Sequence, residues 1–152
     1  MDNAKKSSSM EQMRAEEKIF SLVEKTLNVS LERNPKLYLS NNKYTYIQPD
    51  FYSAQTLIIG EIFSHIGKPK KAQDNKIAND ILKMLLLEKI AGVSYRKIIV
   101  VCDEAEEKKL KGPSALGESI RQFGIEILYI EIDEKLRQEI LTAQERQKMI
   151  NA

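Results

Sequence analysis

Gln55-Thr56-Leu57-Ile58-Ile59-Gly60-Glu61-Ile62-Phe63-Ser64-His65-Ile66 is the stretch on which the fold turns. It is rich in β-branched residues, and its alternation puts Leu57, Ile59, Glu61, Phe63 and His65 on one face of a predicted strand. Glu61 interrupts a run that is otherwise apolar. Burying a carboxylate there costs free energy unless it is paired or meets a cation. Gly60 is expected to leave open space on the opposite face of the strand. Gly67-Lys68-Pro69 ends the segment.

Upstream, Asn34-Pro35 breaks the chain, and β-type segments are predicted at Lys36–Ser40 or Lys43–Tyr46, then at Ile47–Ser53. Asn41-Asn42-Lys43 and Ser53-Ala54-Gln55 supply polar turns. Before them Met13, Ile19, Phe20, Val23 and Leu27 recur at helical spacing, which predicts an amphipathic helix from Met10 to Asn28. The small polar residues 1–9 are expected to form a disordered tail. Glu16 falls on the apolar stripe, four residues before Phe20. It either points along the core edge to solvent or reaches into a site.

Downstream, a long helix is predicted over 69–90, with Pro69 at its start and Ile77, Ile81, Leu82, Met84 and Leu85 as its core face. Gly92 is its expected stop. Lys97–Cys102 reads as a strand buried on both faces, ending in a buried thiol at Cys102. Helices at Ala105–Leu110 and Ser114–Phe123 flank a break at Gly112-Pro113. A strand at Ile125–Ile132 and a helix at Asp133–Ile150, capped by Asp133, complete the chain. The fold class is therefore α/β: a mixed central β-sheet flanked by helices, with an α-β-β-β-α-β core and a further α-β-α extension. Residues 10–152 are expected to make one domain.

At 152 residues the chain is long enough to bury one substantial core. No apolar run approaches the roughly 20 residues needed to cross a bilayer, and residues 1–9 lack the apolar stretch of a secretion signal. With a single cysteine there is no internal disulfide, so a cytoplasmic protein without a membrane partner is expected. The net charge of +2 is nearly balanced, but Lys68, Lys70 and Lys71 cluster, with Lys76 and Lys83 following. Glu104, Glu106, Glu107, Lys108, Lys109 and Lys111 alternate in sign and resemble a solvated face.

If the second and third β-segments form a hairpin, Asp50 and Glu61 lie on adjacent strands with Cβ atoms about 5 Å apart. Carboxylates that close repel each other, and a hard divalent cation such as Mg²⁺ would relieve the repulsion. A salt bridge from Glu61 to a lysine at the sheet edge is the alternative. Gln73, Lys76, Asp80 and Lys83, spaced 3, 4 and 3 apart, form one polar stripe on the long helix. That stripe either looks back at the sheet or is solvated, with Asp80 paired to the two lysines. His65, four residues beyond Glu61, lies about 13 Å away along the strand, too far to share one metal. It is either packed or placed to contact a phosphate beside Lys68 and Lys70.

Pro49-Asp50, then ten residues, then Glu61, set in an α-β-β-β-α-β order, resembles the restriction-endonuclease-like superfamily of PD-(D/E)xK nucleases. The resemblance spans Met10 to Asp103, roughly two thirds of the chain. It implies a metal-dependent nuclease acting on DNA, with Mg²⁺ or Mn²⁺ held by Asp50, Glu61 and the backbone carbonyl of Ile62. A catalytically inactive module that binds nucleic acid or a protein partner is the alternative. The family's lysine belongs two residues after the glutamate, where this chain has Phe63. Some members place the lysine on the following helix, which here points to Lys76 first and Lys83 second. Glu16 matches an acidic residue that some members contribute from the first helix, and Gln73, Asp80 and His65 are further accessory candidates. Lys68, Lys70 and Lys71, at the opening of the long helix, are expected to contact backbone phosphates. A homodimer would suit cleavage of both strands.

Overall fold

The structure, a computed structural model, describes the backbone of residues 2–39 and 43–151 and the side chains among them from Met10 onward. Helix α1 runs Asp2–Leu27. Its backbone is already helical where a disordered tail was expected over 1–9, because no glycine or proline before Leu27 stops the helix from propagating. The strands β1 (Glu32–Arg33), β4 (Phe51–Ser53), β5 (Ile58–Phe63), β6 (Arg96–Val101) and β7 (Ile125–Tyr129) form one sheet in the order β1-β4-β5-β6-β7. β1, β4 and β5 are antiparallel, whereas β5, β6 and β7 are parallel. A separate antiparallel ribbon pairs β2 (Leu37–Tyr38) with β3 (Tyr46–Ile47). Helices α2 (Lys71–Ala91), α3 (Glu104–Leu110), α4 (Ala115–Gln122) and α5 (Glu134–Ile150) complete the chain. The mixed α/β architecture expected from the sequence is present.

The opening meander differs from expectation. The first strand of the main sheet is Glu32–Arg33, and the segments near 37 and 47 form the ribbon as an excursion between β1 and β4. A two-residue strand carries no alternation, so β1 left no periodic signal. Pro49 cannot donate to a ladder, and it separates β3 from β4 inside the single strand expected over 47–53. Ser40, Asn41 and Asn42, in the expected turn, lie outside the described residues.

Alternation in β5 and β6 divides the core into two layers. Ile58, Ile62, Ile98, Val100 and Cys102 face α1 and α5, where Ile19, Val23, Leu136 and Ile140 wait. Ile59, Phe63, Ile99 and Val101 face α2 and α4 through Ile77, Ile81, Met84 and Ile120. β5 and β6 are therefore buried on both faces, and any polar side chain on them must be accounted for. Lys97 is: its ammonium lies 2.7 Å from Glu88 Oε2, which also accepts from the Tyr95 amide at 2.7 Å.

α2 begins one residue after Lys70, with Pro69 before it and not inside it. Gln73 decides this, its Oε1 accepting from the Lys70 amide at 3.0 Å while its own amide donates to Lys70 O at 3.1 Å. The helix ends as expected at Gly92, in the left-handed region with φ 68°. Leu82, expected in its core face, is instead 64% exposed and continues with Leu86 and Ile90 along the outer side. The helix carries apolar residues on two stripes, and the sheet takes the one through Ile77, Ile81, Met84 and Leu87. Asp103, Ser114 and Asp133 cap α3, α4 and α5 through their side chains.

Gly60 does not face open space. A Cβ built there would lie 2.1 Å from Phe51 Cζ and 2.7 Å from Ile98 O. Glycine is required because the Phe51 ring crosses the strand at that point. Gly60→Ala is expected to destabilise the fold by about 2 kcal/mol or more, measured by urea denaturation. Phe51→Leu in the same chain is expected to recover part of the loss, and a single variant as stable as the parent would contradict this packing.

Candidate functional site

The β4–β5 register pairs Phe51 with Gly60, so one step outward Asp50 lies across from Glu61. The next residue back, Pro49, has no amide to donate to the ladder, and the Ile62 amide is taken by the Asp50 side chain, whose Oδ2 accepts from it at 2.6 Å. The Asp50 amide in turn donates to the Glu61 carboxyl, which also meets the Asp50 carboxyl. The expected juxtaposition of the two acids is present, and its cause is the register.

Glu61 is held as the neutral acid. Burial, first, and then the nearby Asp50 and Asp80 carboxylates push it up to about 10. Asp80, on α2, is raised by burial and by Asp50, against the opposing pull of Lys76 and Lys83. Glu16, on α1, is raised by burial and by Asp50, against the pull of Lys76 and Arg33. Four carboxyls from three layers of the fold therefore share one field. Lys76 acts on both Glu16 and Asp80, whereas Lys83 acts on Asp80, which places Lys76 nearer the centre.

Among the described residues no group of three or more His, Cys, Asp and Glu is gathered into a metal cage. The tight unit is the Asp50–Glu61 pair, with Glu16 and Asp80 beside it. The excess of negative charge and the hard oxygen donors fit a divalent cation such as Mg²⁺ or Mn²⁺.

Other predicted residues sit further out. His65 stacks on Phe63 at 6.0 Å between ring centroids, and its Nδ1 is buried without a hydrogen-bond partner. Burial and Lys70 lower its basicity, which leaves it neutral at pH 7. Gln73 lines a cavity with Glu16, Lys76 and His65, although its oxygen is engaged in the α2 cap. Lys68, Lys70 and Lys71 are exposed at the start of α2. Cys102 is buried outside the site, and burial pushes its thiol up to about 12.

Two residues of this region were missed. Arg33 lines a small cleft with Glu16, Asn34, Asp50 and Ile62, and bonds Glu17 at 3.1 Å. Its signal was only its place before the Asn34-Pro35 break. Gln144, on α5, clasps the end of β5 by accepting from the Ile66 amide at 2.8 Å and donating to Ile66 O at 2.9 Å. No local pattern marks such a long-range clasp.

The proton on Glu61 predicts a pH dependence. The folded protein keeps it to higher pH than the unfolded chain, whose glutamate titrates near 4.5. The stability it confers is complete below that value and is lost as pH rises toward about 10. Glu61→Gln is therefore expected to raise Tm in metal-free buffer, by more at pH 9 than at pH 6. A gain independent of pH would show that Glu61 is ionised throughout. Comparison with protein-family models, with curated proteins and with solved structures finds no match.

Proposed function

We propose that this chain is a divalent-metal-dependent nuclease that hydrolyses DNA phosphodiester bonds. The observation that carries it is the half-buried Asp50–Glu61 pair, which meets no basic side chain in an ion pair among the described residues. Charge left uncompensated in this way marks a site that awaits a cation or a reacting group. The arrangement α1, then antiparallel β1, β4 and β5, then α2 and parallel β6, supports the resemblance to the PD-(D/E)xK nucleases.

In this reading Asp50, Glu61 as its carboxylate and the Ile62 carbonyl would hold Mg²⁺ or Mn²⁺. Such an ion would supply Lewis-acid polarisation and a water of lowered pKa. Asp50 stays oriented through the Ile62 amide, so its second oxygen has a fixed direction. Lys76, reaching from α2 toward Glu16 and Asp80, stabilises the charge that develops on the phosphoryl oxygens. Lys68, Lys70 and Lys71 hold the backbone on the same side, as contacts that position the strand without reading its sequence.

A second reading has its own observation. Phe63 stands where the family has lysine and is buried in the α2 layer. A module that binds nucleic acid without cutting it would tolerate that exchange. Among the described residues no helix is long and apolar enough to cross a membrane.

Cleavage of labelled DNA with Mg²⁺ or Mn²⁺, and with EDTA, separates the two readings. The nuclease reading expects metal-dependent cleavage that Asp50→Asn and Lys76→Ala each reduce by about 100-fold or more, with the fold intact. Cleavage unaffected by Lys76→Ala would move that role to Lys83. Salt-dependent binding without cleavage would favour the inactive module.

A further inference from the structure

We infer that the cavity beside the carboxylate pair receives one unpaired nucleobase, so that single-stranded DNA is the preferred substrate form. This rests on the nucleic-acid reading above and extends it.

The cavity encloses about 220 Å³ between α1, α5 and the start of α2. At one end it touches Glu16, Ile62 and Lys76, so it opens onto the proposed reacting centre. At the other it shares His65 and Gln73 with a wider depression of about 460 Å³ rimmed by Lys68, Lys70 and Lys148. Carboxylates, cavity and lysines thus follow one another along the surface. A single strand presents its groups in that order, with a base between one phosphate and the next.

The lining suits a base better than a phosphate. Its floor is apolar, through Ile62 and Ala143, and four uncharged amides, those of Gln12, Gln73, Gln144 and Gln147, line it, with Glu16 and Lys76 at the end toward the carboxylates. An amide offers both donor and acceptor, as the edge of every base does. Gln73 gives its oxygen to the Lys70 amide, which leaves its NH₂ as donor. His65 adds a neutral ring, backed by Phe63 at 6.0 Å with 30° between the planes. Stacking on such a ring tolerates any sequence, because every base has a π-face. Phe63 then has a task of its own at the position where the related nucleases carry lysine: it supports the ring on which the base stacks. A base that is paired and stacked in a duplex cannot enter a cavity of this size, whereas an unpaired one can.

The test uses the full chain in EDTA, so that cleavage does not intervene. Fluorescence anisotropy compares an oligonucleotide with its own duplex, and a 2-aminopurine base reports a changed stacking environment. The expected result is at least about tenfold tighter binding of the single strand, with a change in 2-aminopurine emission. Gln12→Trp, at an exposed position on the cavity mouth, is expected to remove most of that preference and leave duplex binding unchanged. His65→Ala is expected to weaken single-strand binding in the same direction. Equal affinity for the two forms, an unaffected Gln12→Trp variant, or no binding of either form would overturn the inference. Preferential single-strand binding without cleavage when metal is restored would support it while sinking the nuclease reading. Duplex cleavage without single-strand preference would do the reverse.

Discussion

The register between β4 and β5 is the constraint on which the rest of the site depends. Phe51 opposite Gly60 leaves Asp50 opposite Glu61, and a slip of one residue would turn one of the two acids to the other face. Two features hold that register. The Phe51 ring occupies the space that a side chain at Gly60 would need, and the Asp50 carboxylate accepts from the Ile62 amide at 2.6 Å. The same aspartate that closes the ladder also raises Glu61, so the local structure and the electrostatics share one origin.

The fold treats two of its charge clusters differently. Lys97 and Glu88 meet at 2.7 Å, with the Tyr95 backbone satisfying both, and they need nothing more. Asp50, just before β4, and Glu61, Asp80 and Glu16, from β5, α2 and α1, converge, and burial followed by the Asp50 carboxylate raises the other three. The fold satisfies one buried charge fully and leaves this group short of cations, as it leaves the buried Glu106 carboxyl on α3 without a hydrogen-bond partner. Several carboxyls gathered short of cations are characteristic of sites built to bind or react.

Much of the architecture was legible because it rests on long periodic segments. β5 alternates and β6 runs apolar from Ile98 to Val101, α2 and α5 carry helical spacing, and Gly92, Ser114 and Asp133 punctuate the chain by local chemistry. What escaped was short or remote. β1 has two residues and is defined by its partner, not by its own pattern. Leu82 belongs to one of two apolar stripes on α2, and only the tertiary packing chooses between them. The opposition of Asp50 and Glu61 was readable from their hairpin, whereas the approach of Arg33 and the clasp of Gln144 on Ile66 depend on where α5 and β1 dock. Gly60 was expected to leave open space, whereas the Phe51 ring fills it, a cross-strand packing that no local pattern shows.

Proton release on metal binding distinguishes a cation site from a pair of carboxyls that merely share a proton. If Asp50 and Glu61 hold one proton between them until a cation replaces it, then Mn²⁺ titrated by calorimetry at pH 7, in buffers of different ionisation enthalpy, displaces about one proton per ion bound. Glu61→Gln should abolish that release. Binding of Mn²⁺ by the parent with no proton displaced, or no binding at millimolar concentration, would contradict the account.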